Sequence, residues 1–597
     1  MPEPVEVWVS AVRDAERRGE LLSAFDLAER GLDHYPDDLW LRHRAVLALA
    51  RAGSTDEALR RFQGYHLGAV EDEDVQALRA RLAKDVALQA HGRERRSRAR
   101  HAGDLYRAVF ELTGRHYPAV NAATMLLVAG RPEEARRTAL RALEAVADEP
   151  GDSYYAAASE AEANLVLGRT AEARRALQRA AALADGDYGA LSTTRRQLRL
   201  VCQEAGSDAA LLQEIAGPGV VHFCGHRIGP PDGGGRFPAA AESAVAARIA
   251  AEVERDPPGF AYGALANGAD LLFAEALLAA GTELHVVLPF DADEFVRSSV
   301  ADRGEVWVER FRRCSAAATS VRYATEDAYL NDEVLYRYGS EFAMGLALLR
   351  GRFLDAPVRQ LAVWDSLDAQ SDAGTAIDVR TWTSRGRPVT IIDPGSGPSP
   401  AATPTPTASA AGGRVVRSML FADVSGFSRL TDEQIPRFAR RVLGEFAAAL
   451  ARHGDAICYR NTWGDALYVV FEDTVSAADC ALDLQEAMER IPLARSGLPD
   501  HLALRLGAHT GPVYPVCDPV VGEGAFMGSH VSRTARIEPV TPPGAVYVTE
   551  PFAAALVLEG DRFGCDYVGH VPAAKDYGQL RMYRLRRRQA RRPLDEG

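Results

Sequence analysis

At 597 residues the chain is too long for a single hydrophobic core, and three or four domains is the expectation. Its 47% hydrophobic and 25% charged residues make an ordinary globular balance, while a net charge of −13 and the lack of a basic, aromatic-interleaved face argue against nucleic acid as a partner. No apolar run is long enough to span a bilayer and no signal pattern opens the chain, so a soluble, cytoplasmic protein with no membrane partner is expected.

The seven cysteines (202, 224, 314, 458, 480, 517 and 565) contain no C-x-x-C pair, and read as reduced core thiols rather than disulfides or a zinc site. Arginine does almost all the basic work; only Lys84 and Lys575 are lysines.

Residues 1–215 are rich in Ala, Leu, Arg and Glu, with apolar positions at helical spacing, which predicts an all-α region. Gly19-Glu20 followed by Ala24-Phe25-Asp26-Leu27-Ala28 recurs as Gly53-Ser54 followed by Ala58-Leu59. The offset is 34 residues, the period of a tetratricopeptide helix pair. The same turn-then-helix cue returns at Gly130-Arg131-Pro132 and Gly168-Arg169-Thr170. The stretch HYPAVNAAT (116–124) resembles the helical domain of TRAF-binding kinase regions. A partner-binding or oligomerising scaffold is expected, because helical repeats present concave surfaces to other proteins.

From 219 to 394 the pattern becomes strand, loop, helix. Val220–Phe223, Phe260–Gly263, His285–Leu288, Leu361–Asp365 and Val389–Ile392 read as buried strands, so a doubly wound, Rossmann-like α/β domain is expected, with ligands at the strand carboxyl ends. A glycine-rich loop runs from Cys224-Gly225-His226-Arg227 to Phe237. These features resemble the SLOG superfamily, Rossmann-like domains that sense or process nucleotide-derived ligands. The resemblance implies a sensor-ligand site at Gly225, His226, Arg227, Gly268, Asp270, Gly374 and Thr375. Enzymatic members carry Gly-Gly-x-Gly-Thr-x-x-Glu; here the stretch reads SDAGTAID, with Asp378 in the glutamate's place, so binding is expected rather than hydrolysis.

Residues 395–413 are Pro/Ala/Thr/Ser/Gly-rich and read as a semi-flexible linker. After it, RVVRSMLFADVSGF (414–427) begins as an apolar strand, delivers Asp423, and turns through Ser425 and Gly426 towards a predicted helix. A carboxylate followed by the free N–H groups of Ser425, Gly426 and Phe427 is suited to a metal-bound polyphosphate. DAICYRNTWGDALYVVF (455–471) predicts a hairpin with Asp465 at its tip. Asp423 and Asp465 can converge on a pair of Mg²⁺ or Mn²⁺ ions, hard cations that take oxygen ligands.

FADVSGFSRLT, NTWGDALYVVF, LRLGAHTGPV and GSHVSRTARIEPVTPPGAVYVTE, in this order across 414–586, resemble the class III nucleotidyl cyclase catalytic domain. The resemblance implies an α+β, ferredoxin-like βαββαβ domain over 414–590, working as a homodimer with active sites at the interface. It implies two metals per site on Asp423, Asp465 and the Val424 carbonyl, a transition-state Arg536 carried on a helix, a ribose-orienting Ser532 on the same helix where the family has Asn, and a triphosphate lysine at Lys575. The base-reading positions fall on Asn461 and Ala525, neither of which keeps the adenine-selective pair. ATP is the default substrate, with GTP, CTP and UTP open, since related cyclases with altered pockets make pyrimidine cyclic nucleotides in antiphage signalling. The alternative is a catalytically inactive, cyclase-like binding module.

Overall fold

The structure is a computed structural model that describes residues 3–230, 235–368, 372–395, 413–520, 522–575 and 577–588. Most of the 395–413 linker, part of the glycine-rich loop after Gly225 and Asp576 therefore lie outside the described residues. The chain divides into two compact units. One comprises residues 1–217 with 352–356 and 566–569, the other the remainder.

The first unit is a run of antiparallel helix pairs, among them Leu21–His34, Leu39–Ala52, Glu73–Gln89, His116–Val128, Tyr154–Val166 and Tyr188–Ala205. The repeated glycines have a conformational reason: Gly19 and Gly53 sit at φ +70° and +86°, closing one helix and admitting the next. The helices meet through small residues such as Ala119, Ala123, Ala135, Ala139, Ala161 and Ala176, all fully buried. Small side chains let the backbones approach closely, which explains the alanine-rich composition.

The second unit holds two sheets. The first joins β1 (Val220–Gly225), β2 (Phe260–Gly263), β3 (Glu283–Leu288), β4 (Ser320–Tyr323), β5 (Val358–Val363) and β6 (Val389–Ile392) in the order β4-β3-β2-β1-β5-β6. All its described pairings are parallel. Strand order reverses between β1 and β5, so the crevice outside their carboxyl ends is the topological switch point. β4 was not legible in sequence: Ser-Val-Arg-Tyr is short, half-exposed and at the sheet edge, without the continuous apolar run of its neighbours.

The second sheet contains β7 (Val415–Ser425), β8 (Ile457–Trp463), β9 (Ala466–Phe471), β10 (Ala503–Asp518), β11 (Glu523–Met527), β12 (Val546–Thr549), β13 (Phe563–Pro572) and β14 (Gln579–Arg587). Its order is β13-β14-β12-β10-β7-β9-β8, with β11 folded onto the end of β10. β7 lies antiparallel between β9 and β10, so Leu420, Ala422 and Val424 are sealed in the sheet centre. Among the described residues, no helix is long and apolar enough to cross a membrane.

Two expectations about helices are corrected. The helix predicted directly after Gly426 is only a single 3-10 turn, Phe427–Arg429, and the helical segment proper starts at Ile435. Its start is fixed by Thr431 and Gln434: the Thr431 N–H donates to Gln434 Oε1 at 3.0 Å, half of a capping box, and Pro436 occupies the first turn. The helix expected to carry Arg536 spans Ser529–Thr534 and ends before it. Arg536 sits in the following turn, its N–H donating to the Arg533 carbonyl at 3.0 Å.

Candidate active site

The ends of the central strands of the second sheet gather Asp423, Asp465 and Glu538, with one guanidinium, Arg505, paired to Asp423 and Glu538. Asp423 is near the end of β7, and β9 carries the hairpin turn back beside it, with Gly464 at φ +65° and Asp465 next in line. The two carboxyls are within hydrogen-bonding reach of each other; burial first, and then the charge of Asp423, pushes Asp465 up to about 6. Two acids held this close repel when both are ionised, and a divalent cation relieves that repulsion.

Across the ladder, Arg505 on β10 pairs in register with Asp423. Its Nη2 donates to Asp423 Oδ2 at 2.5 Å and lies 3.0 Å from Glu538 Oε1. Glu538 opens the 3-10 turn after the Ser529–Thr534 helix. Burial pushes its carboxyl up to about 7, against the lowering by Arg505. Arg505 and Glu538 were missed in sequence. The available signal was a lone arginine inside the apolar strand ALRLGAHTG, where an unpaired charge demands a partner.

The other residues expected at a cyclase site spread around this centre. Ser425, Gly426 and Phe427 form the turn leaving β7. Gly426 adopts φ +93°, and a Cβ there would meet His501 at 2.9 Å, so glycine is required twice over. With only a 3-10 turn behind it, this loop lacks the long helix N-terminus expected of a phosphate cradle. Val424 is buried within β7, while Asn461 lies on β8, where its Oδ1 accepts from the Thr462 N–H at 2.8 Å. Ala525 lies on β11. Ser532 is exposed on its helix, and Arg536 has a buried Nε without a hydrogen-bond partner. Lys575 is exposed between β13 and β14 with φ +59°, a left-handed conformation uncommon for a non-glycine residue. The structure brings Asp423 and Asp465 together, and Ser532, Arg536 and Lys575 stand on separate elements.

The switch point of the parallel sheet forms a second cluster. His226 Nε2 lies 3.0 Å from Asp365 Oδ1 beyond β5, and Arg236 Nε donates to Asp365 Oδ2 at 2.7 Å, so side chains bridge the β1/β5 crevice. Burial lowers the His226 imidazole, which favours its neutral form. Arg227 pairs with Asp302, which also accepts from Asn267 Nδ2 at 2.7 Å. Gly225 packs so closely that a Cβ would meet Ala269 Cβ at 2.3 Å, and Gly268 (φ +94°) crosses the Ile228 backbone. Asp270 and Asp378 are both buried, pushed up to about 8 and about 7, first by burial. Gly374, at φ +102°, opens the Thr375–Thr383 helix that carries Asp378. Asp365 and Arg236 were not singled out in sequence; they come together only through the sheet topology.

Residues 415–586 match the family described as the adenylate and guanylate cyclase catalytic domain. The C-terminal region is a class III cyclase-type catalytic domain. Residues 20–126 match the family described as Tetratricopeptide Repeats-Sensor, which agrees with the 34-residue repeat. A pH-sensitive adenylate cyclase of Mycobacterium tuberculosis is 28% identical over 181 residues, covering 28% of this chain and 40% of that protein. A putative adenylate cyclase of Rhizobium meliloti is 29% identical over 143 residues, covering 23% of this chain and 22% of its own. The matched stretches thus span less than half the length of these relatives. Among solved structures, the adenylyl cyclase CyaB from P. aeruginosa aligns over 31% of this chain and 98% of its own, at 19% identity and a TM-score of 0.27.

Proposed function

We propose that the chain is a nucleotidyl cyclase, active as a homodimer, whose output is controlled through the α/β domain of the second unit. The observation that carries this reading is the carboxylate pair Asp423 and Asp465 converging beside Arg505 inside a cyclase-type domain. The donor set is all oxygen, as Mg²⁺ or Mn²⁺ requires, so Asp423, Asp465 and the Val424 carbonyl would hold the ions. Bound there, the ions would lower the pKa of the ribose 3′-hydroxyl and neutralise the triphosphate.

The chain's own residues do the positioning. The hydroxyl attacks the α-phosphorus and pyrophosphate leaves, so negative charge grows on the phosphate oxygens. Arg505 is the fixed cation nearest the carboxylate pair, and Arg536 keeps a buried Nε with no hydrogen bond to satisfy it. A preorganised cation aimed at developing charge contributes the largest electrostatic share of such a reaction. Ser532 and Lys575 are assigned to ribose and triphosphate. ATP is proposed first, in line with the names of both curated relatives, although Asn461 and Ala525 do not dictate adenine.

Control is assigned to a direct grip on the arginine-bearing segment. At the end of β4, Thr325 Oγ1 lies 3.0 Å from His530 Nε2, and Asp327 Oδ1 accepts from Ser529 Oγ at 2.5 Å. His530 passes the contact inward to His509 at 2.7 Å, and His509 to Thr549 at 2.7 Å. A nucleotide-derived ligand at Gly225, His226, Arg227, Gly268, Asp270, Gly374 and Thr375 would act through this helix.

The deciding experiment supplies full-length protein with Mn²⁺ and, separately, ATP, GTP, CTP and UTP, with Asp423→Ala as control. One cyclic nucleotide that disappears in the variant supports the reading and names the base. No product from any of the four would leave the alternative, an inactive cyclase-like module.

A further inference from the structure

The helical-repeat unit contains a cavity of about 460 Å³, a volume suited to one small molecule rather than to a folded partner. Its wall is assembled from the helices Leu39–Ala52, Glu73–Gln89, His116–Val128, Tyr154–Val166 and Tyr188–Ala205. Five cationic side chains line it, Arg44, Arg51, Arg81, Lys84 and Arg196, against three carboxylates, Asp74, Asp85 and Glu162.

The chemistry of that wall is unusual. Lys84, one of two lysines in the whole chain, is buried, and its Nζ donates to neutral amide oxygens, Asn121 Oδ1 at 2.8 Å and Gln197 Oε1. Neither partner offsets its charge. Burial and then the neighbouring Arg81 lower its ammonium to about 8, against the raising by Glu162 and Asp85. Arg44 and Arg51 share one carboxylate, Glu16, at 3.6 and 3.8 Å, both too long for hydrogen bonds, and each keeps a buried Nε with no hydrogen-bond partner. Arg81 is matched by Asp85 at 3.0 Å, Lys84 feels Glu162 and Asp85 without a direct ion pair, and Arg196 donates only to backbone carbonyls, so Lys84, Arg44, Arg51 and Arg196 lack a close carboxylate partner. Burying cations without matching anions is costly, and an interior that retains them has a use for an incoming negative charge.

The same cavity has a second character. Tyr117 and Tyr155 line it and are 41% and 52% exposed, and Leu47, Leu78 and Val120 add apolar wall. Exposed aromatic faces beside a cationic pocket bind planar groups.

We infer that this cavity binds a small organic anion, with a phosphate or carboxylate head held by Lys84, Arg44 and Arg51 and a planar body against Tyr117 and Tyr155. This makes the repeat unit a small-molecule receptor and not only the protein scaffold expected from its helical repeats. The inference is independent of the cyclase reading, since none of the cyclase residues takes part.

The test is calorimetric titration of the full chain, with EDTA present so that the divalent-metal site is inactive. The probes are 5′-AMP, indole-3-acetate and inorganic phosphate. Binding of 5′-AMP, of indole-3-acetate or of both is expected, and the preferred probe distinguishes a phosphate from a carboxylate head. Lys84→Met, which keeps the side-chain length, and Arg51→Ala should each weaken the preferred probe at least tenfold. Tyr155→Ala, a change at an exposed position that leaves the fold intact, should weaken the ring-bearing probe and leave inorganic phosphate unchanged. Arg136→Ala, an exposed position of the same unit outside the cavity wall, should change nothing. Failure of both ring-bearing probes to bind at millimolar concentration, or binding indifferent to Lys84→Met, Arg51→Ala and Tyr155→Ala, would overturn the inference.

Discussion

The second unit contains two aspartate pairs, and they have opposite fates. Asp423 and Asp465 meet at the exposed end of the antiparallel strand pair β7 and β9, with Arg505 bonded to one of them and solvent open to both. Asp270 and Asp378 lie at the carboxyl end of a parallel sheet, buried, with the Cys224 thiol beside them and Asp270 Oδ1 left without a hydrogen-bond partner. Both pairs contain acids pushed above the usual carboxylate range. What differs is the remedy. The first pair can recruit a cation from solvent, whereas burial raises both acids of the second and favours their neutral forms. Proximity of two acids therefore does not define a metal site; access decides it.

The largest expected effect tests the open pair. Asp465→Ala should lower cyclase turnover at least about 1,000-fold while far-UV circular dichroism stays unchanged, because the carboxylate holds a metal and supports no core. A variant retaining a tenth of the activity would remove Asp465 from the mechanism. Next, Arg505→Ala should cost about 100-fold in kcat, the usual loss when one preorganised charge partner is removed. Measured alongside, Mn²⁺ should bind this variant more tightly, since Arg505 no longer competes for Asp423.

The buried pair is tested by stability against pH. Asp270 holds its proton in the folded state up to about pH 8, but in the unfolded chain only to about 3.8. Its contribution is therefore fully present below pH 3.8 and is lost as pH rises through about 8. Asp270→Asn mimics the protonated form and should raise Tm at pH 9 by roughly 3 °C or more, with little change at pH 5. Equal shifts at both pH values would mean that the carboxyl is not protonated when folded. The smallest effect is expected from Thr325→Val, which deletes the hydroxyl on His530. Basal turnover should move about threefold, within the range seen when a coupling contact is cut. A variant indistinguishable from wild type would remove that contact from any account of control.

The two pairs also differ in how visible they are in sequence. Asp423 and Asp465 are legible because each interrupts or follows a run of apolar strand residues beside a glycine turn, a local cue. Arg505 and Glu538 are not, because their partnership with Asp423 is created by strand register between β7 and β10 and by a turn much later in the chain. The helix predicted after Gly426 fails for a similar reason: Ser425-Gly426 provides a turn signal, but the stronger start is Thr431-x-x-Gln434 with Pro436, which locates the helix correctly once weighed. The doubly wound sheet was readable from its buried strands. Edge strand β4, polar and four residues long, offered no such signal.

One ion cluster bears on how this protein can be taken apart. Glu550, half-buried at the start of the Glu550–Glu559 helix in the cyclase region, binds Arg322 of β4 at 3.0 Å and Arg581 of β14 at 3.4 Å. Cutting the chain at the linker would strip Arg322 from that carboxylate and leave Arg581 as its remaining arginine. A catalytic region lifted out or grafted behind a foreign sensor would thus lose one of the two cations that offset Glu550. A chimaera that keeps both has to bring an arginine of its own to Glu550.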